Sequence, residues 1–126
     1  MILVVEDEPD VRAMVAASLS AEGFAVVEAA SGTEGLEIIR SNPEIAVLFT
    51  DIVMPGTIDG FGLAHEAKKL RPNLGVVYTS GYIKDLPWGE YGIGHGRMLP
   101  KPFRRADLVQ AIKQAPSGVD CSAIRL

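Results

Sequence analysis

The amino-acid sequence predicts an α/β fold in which a doubly wound sheet of five parallel strands has helices on both faces. Short apolar runs alternate with segments whose apolar residues recur at helical spacing, as in chains built from βαβ units. The runs are continuously apolar, which is typical of parallel strands covered on both faces. Because crossovers between parallel strands are right-handed, the helices divide between the two faces of the sheet.

Five strands are predicted where the chain is apolar over several residues. The first run contains only Ile, Leu and Val, whereas the fifth is the weakest because it begins with Arg97. The predicted strands comprise residues 2–5, 25–27, 46–49, 76–78 and 97–99.

Four helices are predicted from apolar residues that share one helical face. Ser31 and Glu34 form a capping-box pattern at the start of the second helix. Each segment ends near a glycine or proline, which are poor helix formers: Gly23, Pro43, Pro72 and Pro116. The apolar stripes are Val11, Met14, Val15 and Leu19; Leu36, Ile38 and Ile39; Leu63, Ala67 and Leu70; and Leu108, Ala111, Ile112 and Ala115.

Length and composition restrict the class of protein. A chain of 126 residues corresponds to one domain, predicted over residues 1–115 with a C-terminal tail at residues 116–126. A net charge of -4 argues against nucleic-acid binding by this domain, and the single cysteine, Cys121, excludes an internal disulfide framework. We expect a cytoplasmic protein without membrane contact, because no apolar run approaches the roughly 18 residues of a membrane span and the N-terminus lacks a signal-peptide pattern.

Polar residues follow four of the predicted strands: Glu6 and Asp7 after the first, Asp51 after the third, Ser80 after the fourth and Lys101 after the fifth. Each has an ordinary explanation when taken singly, as a partner of a helix dipole, a helix cap, a loop hydroxyl or a solvated amine. Binding sites of parallel sheets lie beyond the carboxyl ends of the strands. The convergence of all five residues on this edge therefore predicts a site.

The chemistry that fits this set is phosphoryl transfer to a carboxylate. Asp7 and Asp51 offer hard oxygen ligands for Mg²⁺, and crowded carboxylates favour a cation between them. Asp51 is the candidate nucleophile for phosphorus. Lys101 supplies positive charge and Ser80 a hydrogen-bond donor to phosphoryl oxygens.

The motifs around these residues resemble those of response-regulator receiver domains of two-component signalling. The resemblance covers residues 1–115 and is closest to the receivers of hybrid histidine kinases. It implies a flavodoxin/CheY-like (βα)5 sandwich. The matching motifs are Glu6-Asp7-Glu8, Thr50-Asp51 with Met54-Pro55 and Asp59-Gly60, Thr79-Ser80-Gly81-Tyr82, and Leu99-Pro100-Lys101-Pro102-Phe103.

The resemblance also implies a role for each site residue. Asp51 is the phosphoacceptor, and Lys101, joined to Pro102 by a cis bond, is the lysine that contacts phosphate. Ser80 is the switch hydroxyl, with Thr79 as the last residue of its strand and facing the other way. The implied Mg²⁺ ligands are Asp7, Asp51, the backbone carbonyl of Val53 and, through water, Glu6.

Two departures from the family pattern precede Lys101. Met98 occupies the position of an aromatic side chain that couples the switch hydroxyl to the output face in many receivers. Residues 83–96 contain four glycines and one proline, which in a helix cost about 1 and about 3 kcal/mol each relative to alanine. We therefore expect the family's fourth helix to be shortened or missing.

The function implied is that of a phosphoacceptor receiver domain in a two-component phosphorelay. Its partner would be a histidine kinase or a histidine phosphotransfer domain, which donates from a phosphohistidine, and the domain would be a monomer or weak dimer. Catalysis would be limited to its own phosphorylation and slow autodephosphorylation, because the bulky Val53 and Tyr82 flank the site and hold no attacking water.

Three other functions fit parts of the sequence. The main alternative is a small aspartate-nucleophile phosphatase, but such enzymes carry a second Asp two residues after the nucleophile, where this chain has Val53. A flavodoxin-like cofactor binder needs a phosphate-binding loop after the first strand, where acids stand instead. A receiver that is never phosphorylated would not need the complete set of Asp51, Ser80 and Lys101.

Overall fold

The structure, a computed structural model, describes residues 1–52, 58–80 and 97–115, without the side chains of residues 80, 97, 98 and 100. These ranges contain five strands and four helices. In chain order the elements are β1 (Ile2–Val5), α1 (Pro9–Ala21), β2 (Val26–Ala29), α2 (Gly32–Ser41), β3 (Val47–Asp51), α3 (Gly60–Leu70), β4 (Gly75–Ser80), β5 (Arg97–Pro100) and α4 (Arg105–Gln114).

The five strands form one parallel sheet in the order β2-β1-β3-β4-β5. The sheet therefore has the parallel arrangement that the continuous apolar runs predict. From β1 the chain proceeds first to β2 on one side and then to β3 on the other, so the direction of winding reverses between β1 and β3. Such a switch point opens a cleft at the carboxyl ends of the strands, where the register pairs Val5 with Thr50.

An apolar core lies on each face of the sheet. On one face α2 and α3 pack against the strands around Leu48 and Phe61. On the other face α1 and α4 pack around Phe49 and Leu108. Because successive residues of a strand point to opposite faces, Asp51 belongs to the face that α1 and α4 cover.

The helix ends follow local sequence signals. Gly23 has a φ of 96° just after α1, a left-handed conformation that glycine adopts without strain. The Ser31 hydroxyl accepts a hydrogen bond from the Glu34 amide at 3.2 Å, and the Glu34 carboxylate accepts one from the Ala30 amide at 2.8 Å. The predicted capping pattern is thus present, with Ala30 as the second donor. Asp59 caps α3 by accepting a hydrogen bond from the Gly62 amide at 2.8 Å.

Four strands extend beyond the predicted ends. β2 reaches Ala29 and β5 reaches Pro100, while β3 continues through Asp51 and β4 through Ser80. The prediction that Thr79 ends its strand is therefore wrong. The apolar runs underestimate strand length because backbone pairing depends on the neighbouring strand and not on side-chain polarity.

Several predictions concern residues that the structure does not describe. They are the shortened or missing helix over residues 83–96, the Val53 carbonyl, the tail at residues 116–126, and the side chains of Ser80 and Met98. Within the described parts of the chain, no helix has both the length and the apolar character needed to cross a membrane.

Candidate functional site

The acidic pair lies where β1 ends and α1 begins. The Glu6 side chain is 1% exposed, whereas Asp7 is exposed. The Glu8 amide donates a hydrogen bond to Glu6 Oε2 at 3.2 Å, which holds the buried carboxylate against the turn. Pro9 starts α1 directly after this turn, a position where proline is tolerated because its missing N–H would have no helical acceptor.

Asp51 is the last residue of the central strand β3 and is 7% exposed. The Thr50 hydroxyl donates a hydrogen bond to the Asp51 carbonyl at 2.8 Å, and the Ile52 amide donates to the Thr79 carbonyl at 3.0 Å. The backbone on both sides of the carboxylate is therefore fixed, and the carboxylate emerges at the cleft between β1 and β3.

The three carboxylates of Glu6, Asp7 and Asp51 form one cluster. One oxygen from each lies within 4.8 Å of the others. Carboxylate oxygens at this spacing are suitable ligands for a hard divalent cation. Two of the three are buried, so their mutual repulsion is weakly screened by water.

Lys101 brings a positive charge into the same cluster. Its ammonium lies 3.2 Å from Glu6 Oε1 and 3.3 Å from Asp51 Oδ2. The Lys101–Pro102 peptide bond is cis, as the resemblance implies. The next residue, Phe103, packs edge-on against Phe49 of β3 with ring centroids 6.1 Å apart. This contact anchors the segment that carries Lys101 to the strand that carries Asp51.

The electrostatics of the cluster follow from burial and crowding. Burial, with the nearby Asp51 carboxylate, raises the pKa of Glu6 to about 7, although the Glu8 amide and Lys101 oppose the shift. Burial lowers the pKa of Lys101, but the carboxylates of Asp51 and Glu6 outweigh this effect and the net shift is upward. The ammonium therefore stays charged at neutral pH, and the Glu6 carboxyl, with a pKa of about 7, is partly protonated there.

Comparison with known proteins identifies the family. The family model described as the response regulator receiver domain matches residues 2–113. This chain belongs to the receiver domain family. The receiver fold agrees with the parallel sheet and with the position of the acidic cluster at the switch point.

Relatives and solved structures of receivers support the assignment. The chain is 37% identical over 120 residues to the sensor kinase CckA of Brucella abortus, covering 90% of this chain but only 12% of that protein. It is 31% identical to the response regulator receiver protein CpdR of the same organism, covering 90% of this chain and 93% of CpdR. This chain therefore spans a small part of CckA and nearly the whole of CpdR.

Two solved structures show the same fold. A response regulator receiver protein from Sinorhizobium medicae has a TM-score of 0.82 at 33% identity and covers 90% of each chain. The receiver domain of the hybrid histidine kinase CckA has a TM-score of 0.75 at 39% identity, covering 90% of this chain and 95% of that one. The resemblance to hybrid-kinase receivers thus includes both sequence and structure.

The structure of this receiver brings most of the predicted site residues together. Glu6, Asp7, Asp51 and Lys101 form a single cluster. The backbone of Ser80 is paired with Pro100 at the end of β4. Thr79 pairs with Asp51 in the register and shares its face of the sheet. Whether Ser80 is the switch hydroxyl stays a prediction.

Two residues that shape this receiver site were missed in the sequence interpretation. Arg12 donates a hydrogen bond from Nη1 to the Glu6 carbonyl at 2.9 Å. This contact depends on how α1 lies against the end of β1, and no local sequence pattern marks it. Gly60 was noticed only as part of a motif. A Cβ on Gly60 would lie 2.2 Å from the Asp51 carbonyl oxygen, so only glycine fits there without a shift.

Proposed function

We propose that this receiver accepts a phosphoryl group on Asp51 from a phosphohistidine of a histidine kinase or histidine phosphotransfer domain. The observation that carries the proposal is the contact of one ammonium, that of Lys101, with both Asp51 and Glu6 inside a cluster of three carboxylates. A lysine held in this way stabilises the negative charge of the Asp51 carboxylate and can attract an incoming phosphoryl oxygen. The similarity to a hybrid-kinase receiver supports a role in a phosphorelay.

The residues present fit Mg²⁺, which would neutralise charge on the transferring phosphoryl group. Asp7 and Asp51 would bind it directly, and the buried Glu6 would act through water. The proposed third protein ligand is the Val53 carbonyl, which lies outside the described residues. The hard oxygen donors and their spread of at most 4.8 Å support this choice over a softer metal.

The chain's own residues would carry the transfer. A carboxylate oxygen of Asp51 attacks phosphorus, and the P–N bond of the phosphohistidine breaks with its electrons returning to the imidazole. Lys101 stabilises negative charge on one phosphoryl oxygen, and the Ser80 hydroxyl is proposed to donate a hydrogen bond to another. Positioning and electrostatics account for most of such a transfer, so no separate acid is needed.

We also propose that hydrolysis of the resulting aspartyl phosphate is slow and that residues 1–115 form the receiver unit. Val53 and Tyr82, the residues two positions after Asp51 and Ser80, have no carboxylate or carboxamide to orient water. For the same reason the phosphatase alternative finds no support, because Val53 cannot act as its general acid.

Intact mass spectrometry tests the proposal. The wild type, incubated with phosphoramidate or acetyl phosphate and Mg²⁺, should gain one phosphoryl group, and Asp51→Asn should gain none. Asp59→Asn is the matched control, because it makes the same chemical change close to the site while asparagine still caps α3. An unmodified wild type, or equal gain in Asp51→Asn, would contradict the proposed function.

A further inference from the structure

Arg12 connects the acidic pair to the neighbouring edge strand. Its guanidinium donates from Nη1 to the Glu6 carbonyl at 2.9 Å, and its Nε lies 3.4 Å from Glu28 Oε1 on β2. The Arg12 side chain is 21% exposed and that of Glu28 is 47% exposed. The guanidinium of Arg12 thus contacts both the turn between β1 and α1 and a side chain on β2.

These contacts fix the backbone from which Asp7 projects. The Glu6 amide pairs with the Ala29 carbonyl of β2 at 3.1 Å, and the Glu6 carbonyl binds Arg12. The carbonyl belongs to the peptide unit that joins Glu6 to Asp7, so its orientation sets the direction in which the exposed Asp7 carboxylate leaves the chain. Asp7 is the exposed member of the carboxylate cluster, so packing in the protein interior does not hold its side chain in place.

The geometry points to Arg12 as a positioning residue that directs Asp7 towards Asp51, with Glu28 as its anchor. This inference rests on the proposed Mg²⁺ site. Glu28 holds the guanidinium at the Glu6 backbone and balances its charge, which keeps the guanidinium from pairing with the acidic cluster. Arg12 is suited to this role because its fork of donors serves two acceptors at once, whereas lysine carries a single point charge.

The variant Arg12→Gln distinguishes a positioning role of Arg12 from a purely electrostatic one, because the two roles predict opposite changes in Mg²⁺ affinity. Loss of a positive charge near a cation site should strengthen Mg²⁺ binding by Coulomb's law alone. Loss of the orienting hydrogen bond should weaken it by about 10-fold, the size of effect seen when groups that orient metal ligands are removed. The affinity is measured by isothermal titration of the metal-free full chain with MgCl₂.

Arg105→Gln is the matched control. Arg105 forms a comparable surface ion pair with Glu22, at 3.1 Å, but contacts none of the carboxylates of the cluster in the described residues. The Arg105→Gln variant loses the same charge as Arg12→Gln, and it should bind Mg²⁺ as tightly as the wild type or slightly more tightly. A second readout is the amide ¹⁵N spectrum of the metal-free protein, in which Arg12→Gln should shift the Asp7 and Glu8 signals.

The outcomes are distinguishable. Equal or tighter Mg²⁺ binding by Arg12→Gln than by Arg105→Gln overturns the positioning role. If Arg12→Gln lacks a cooperative urea transition, Arg12→Lys decides. Lysine keeps the charge but loses the fork of donors, so we expect weaker binding than in the wild type, by at most the about 10-fold of Arg12→Gln; wild-type affinity overturns the role. Failure of the wild type itself to bind Mg²⁺ refutes the proposed metal site instead.

Discussion

Gly60 allows α3 to begin in contact with the backbone of the proposed phosphoacceptor. A Cβ at this position would lie 2.2 Å from the Asp51 carbonyl oxygen and 2.7 Å from the Ile52 Cα. The Gly60 amide also donates a hydrogen bond to the Ile52 carbonyl at 2.9 Å. The obstacles to a side chain are therefore backbone atoms of a central strand, which cannot rotate away. Gly60→Ala must move either the start of α3 or the end of β3.

The size of the effect follows from these distances. Non-bonded carbon contacts are optimal at about 3.5–4.0 Å, so the required movement is roughly 1 Å. Overpacking of this kind costs about 1–3 kcal/mol, and the better helix propensity of alanine returns at most about 1 kcal/mol. We expect Gly60→Ala to be about 1–2 kcal/mol less stable than the wild type. Because misplacement of a reacting group by about 1 Å can cost about 100-fold in rate, phosphorylation should slow by at least about 10-fold.

Urea unfolding of the metal-free protein gives the stability, and the time course of mass gain with phosphoramidate gives the rate. Gly35→Ala is the control. Gly35 is also a buried helical glycine, but the atoms nearest to its Cβ would all belong to side chains, the nearest being the Val5 side chain at 2.9 Å. A methyl group can give way, so Gly35→Ala should change the phosphorylation rate little. Equal rates for Gly60→Ala and the wild type would refute the reasoning.

Two further predictions concern buried polar groups. In EDTA, the wild type should lose stability relative to Glu6→Gln as the pH rises from about 4.5 to about 7. The reason is that the pKa of Glu6 is raised in the folded protein, so the loss of its proton costs up to ~3 kcal/mol of the free energy of unfolding. Urea midpoints of the two proteins that run parallel across this pH range would show that Glu6 titrates normally. Thr79→Val should raise the free energy of unfolding by about 1 kcal/mol, because the buried Thr79 hydroxyl has no hydrogen-bond partner in the described structure. Thr50→Val, which removes a hydroxyl that is hydrogen-bonded, should lower it, and a loss of stability in both variants would contradict the assignment.

The architecture was predictable because its signals are local. Continuously apolar runs marked the strands, and Ser31 with Gly23 marked helix ends that the structure shows at those positions. The site was predictable for a related reason: once strands are parallel, the residues at their carboxyl ends lie along one edge of the sheet. Glu6, Asp51 and Lys101 then come together from distant parts of the sequence because β1 lies beside β3 and the Lys101 segment packs against β3 through Phe103.

The missed features depend on contacts between elements, which no local pattern records. Arg12 reaches a backbone carbonyl and a side chain on β2, and both distances depend on how α1 lies on the sheet. The need for glycine at position 60 depends on the approach of α3 to β3. The end of β4 was placed one residue early, because pairing with β3 and β5, and not side-chain polarity, decides where the strand ends.

The charge balance of the cluster explains why a divalent cation suits it. The ion pair of Arg12 with Glu28 is neutral in itself and lies at the backbone of Glu6, so it leaves the cluster's charge unchanged. Three carboxylates against the single ammonium of Lys101 leave two negative charges uncompensated when all are ionised. Without metal, the raised pKa of Glu6 removes part of this excess by protonation. A phosphoryl group brings further negative charge that Lys101 alone cannot balance. A dication would neutralise the two remaining charges of the protein and leave Lys101 available to the phosphoryl oxygens, so the proposed phosphorylation would depend on the metal.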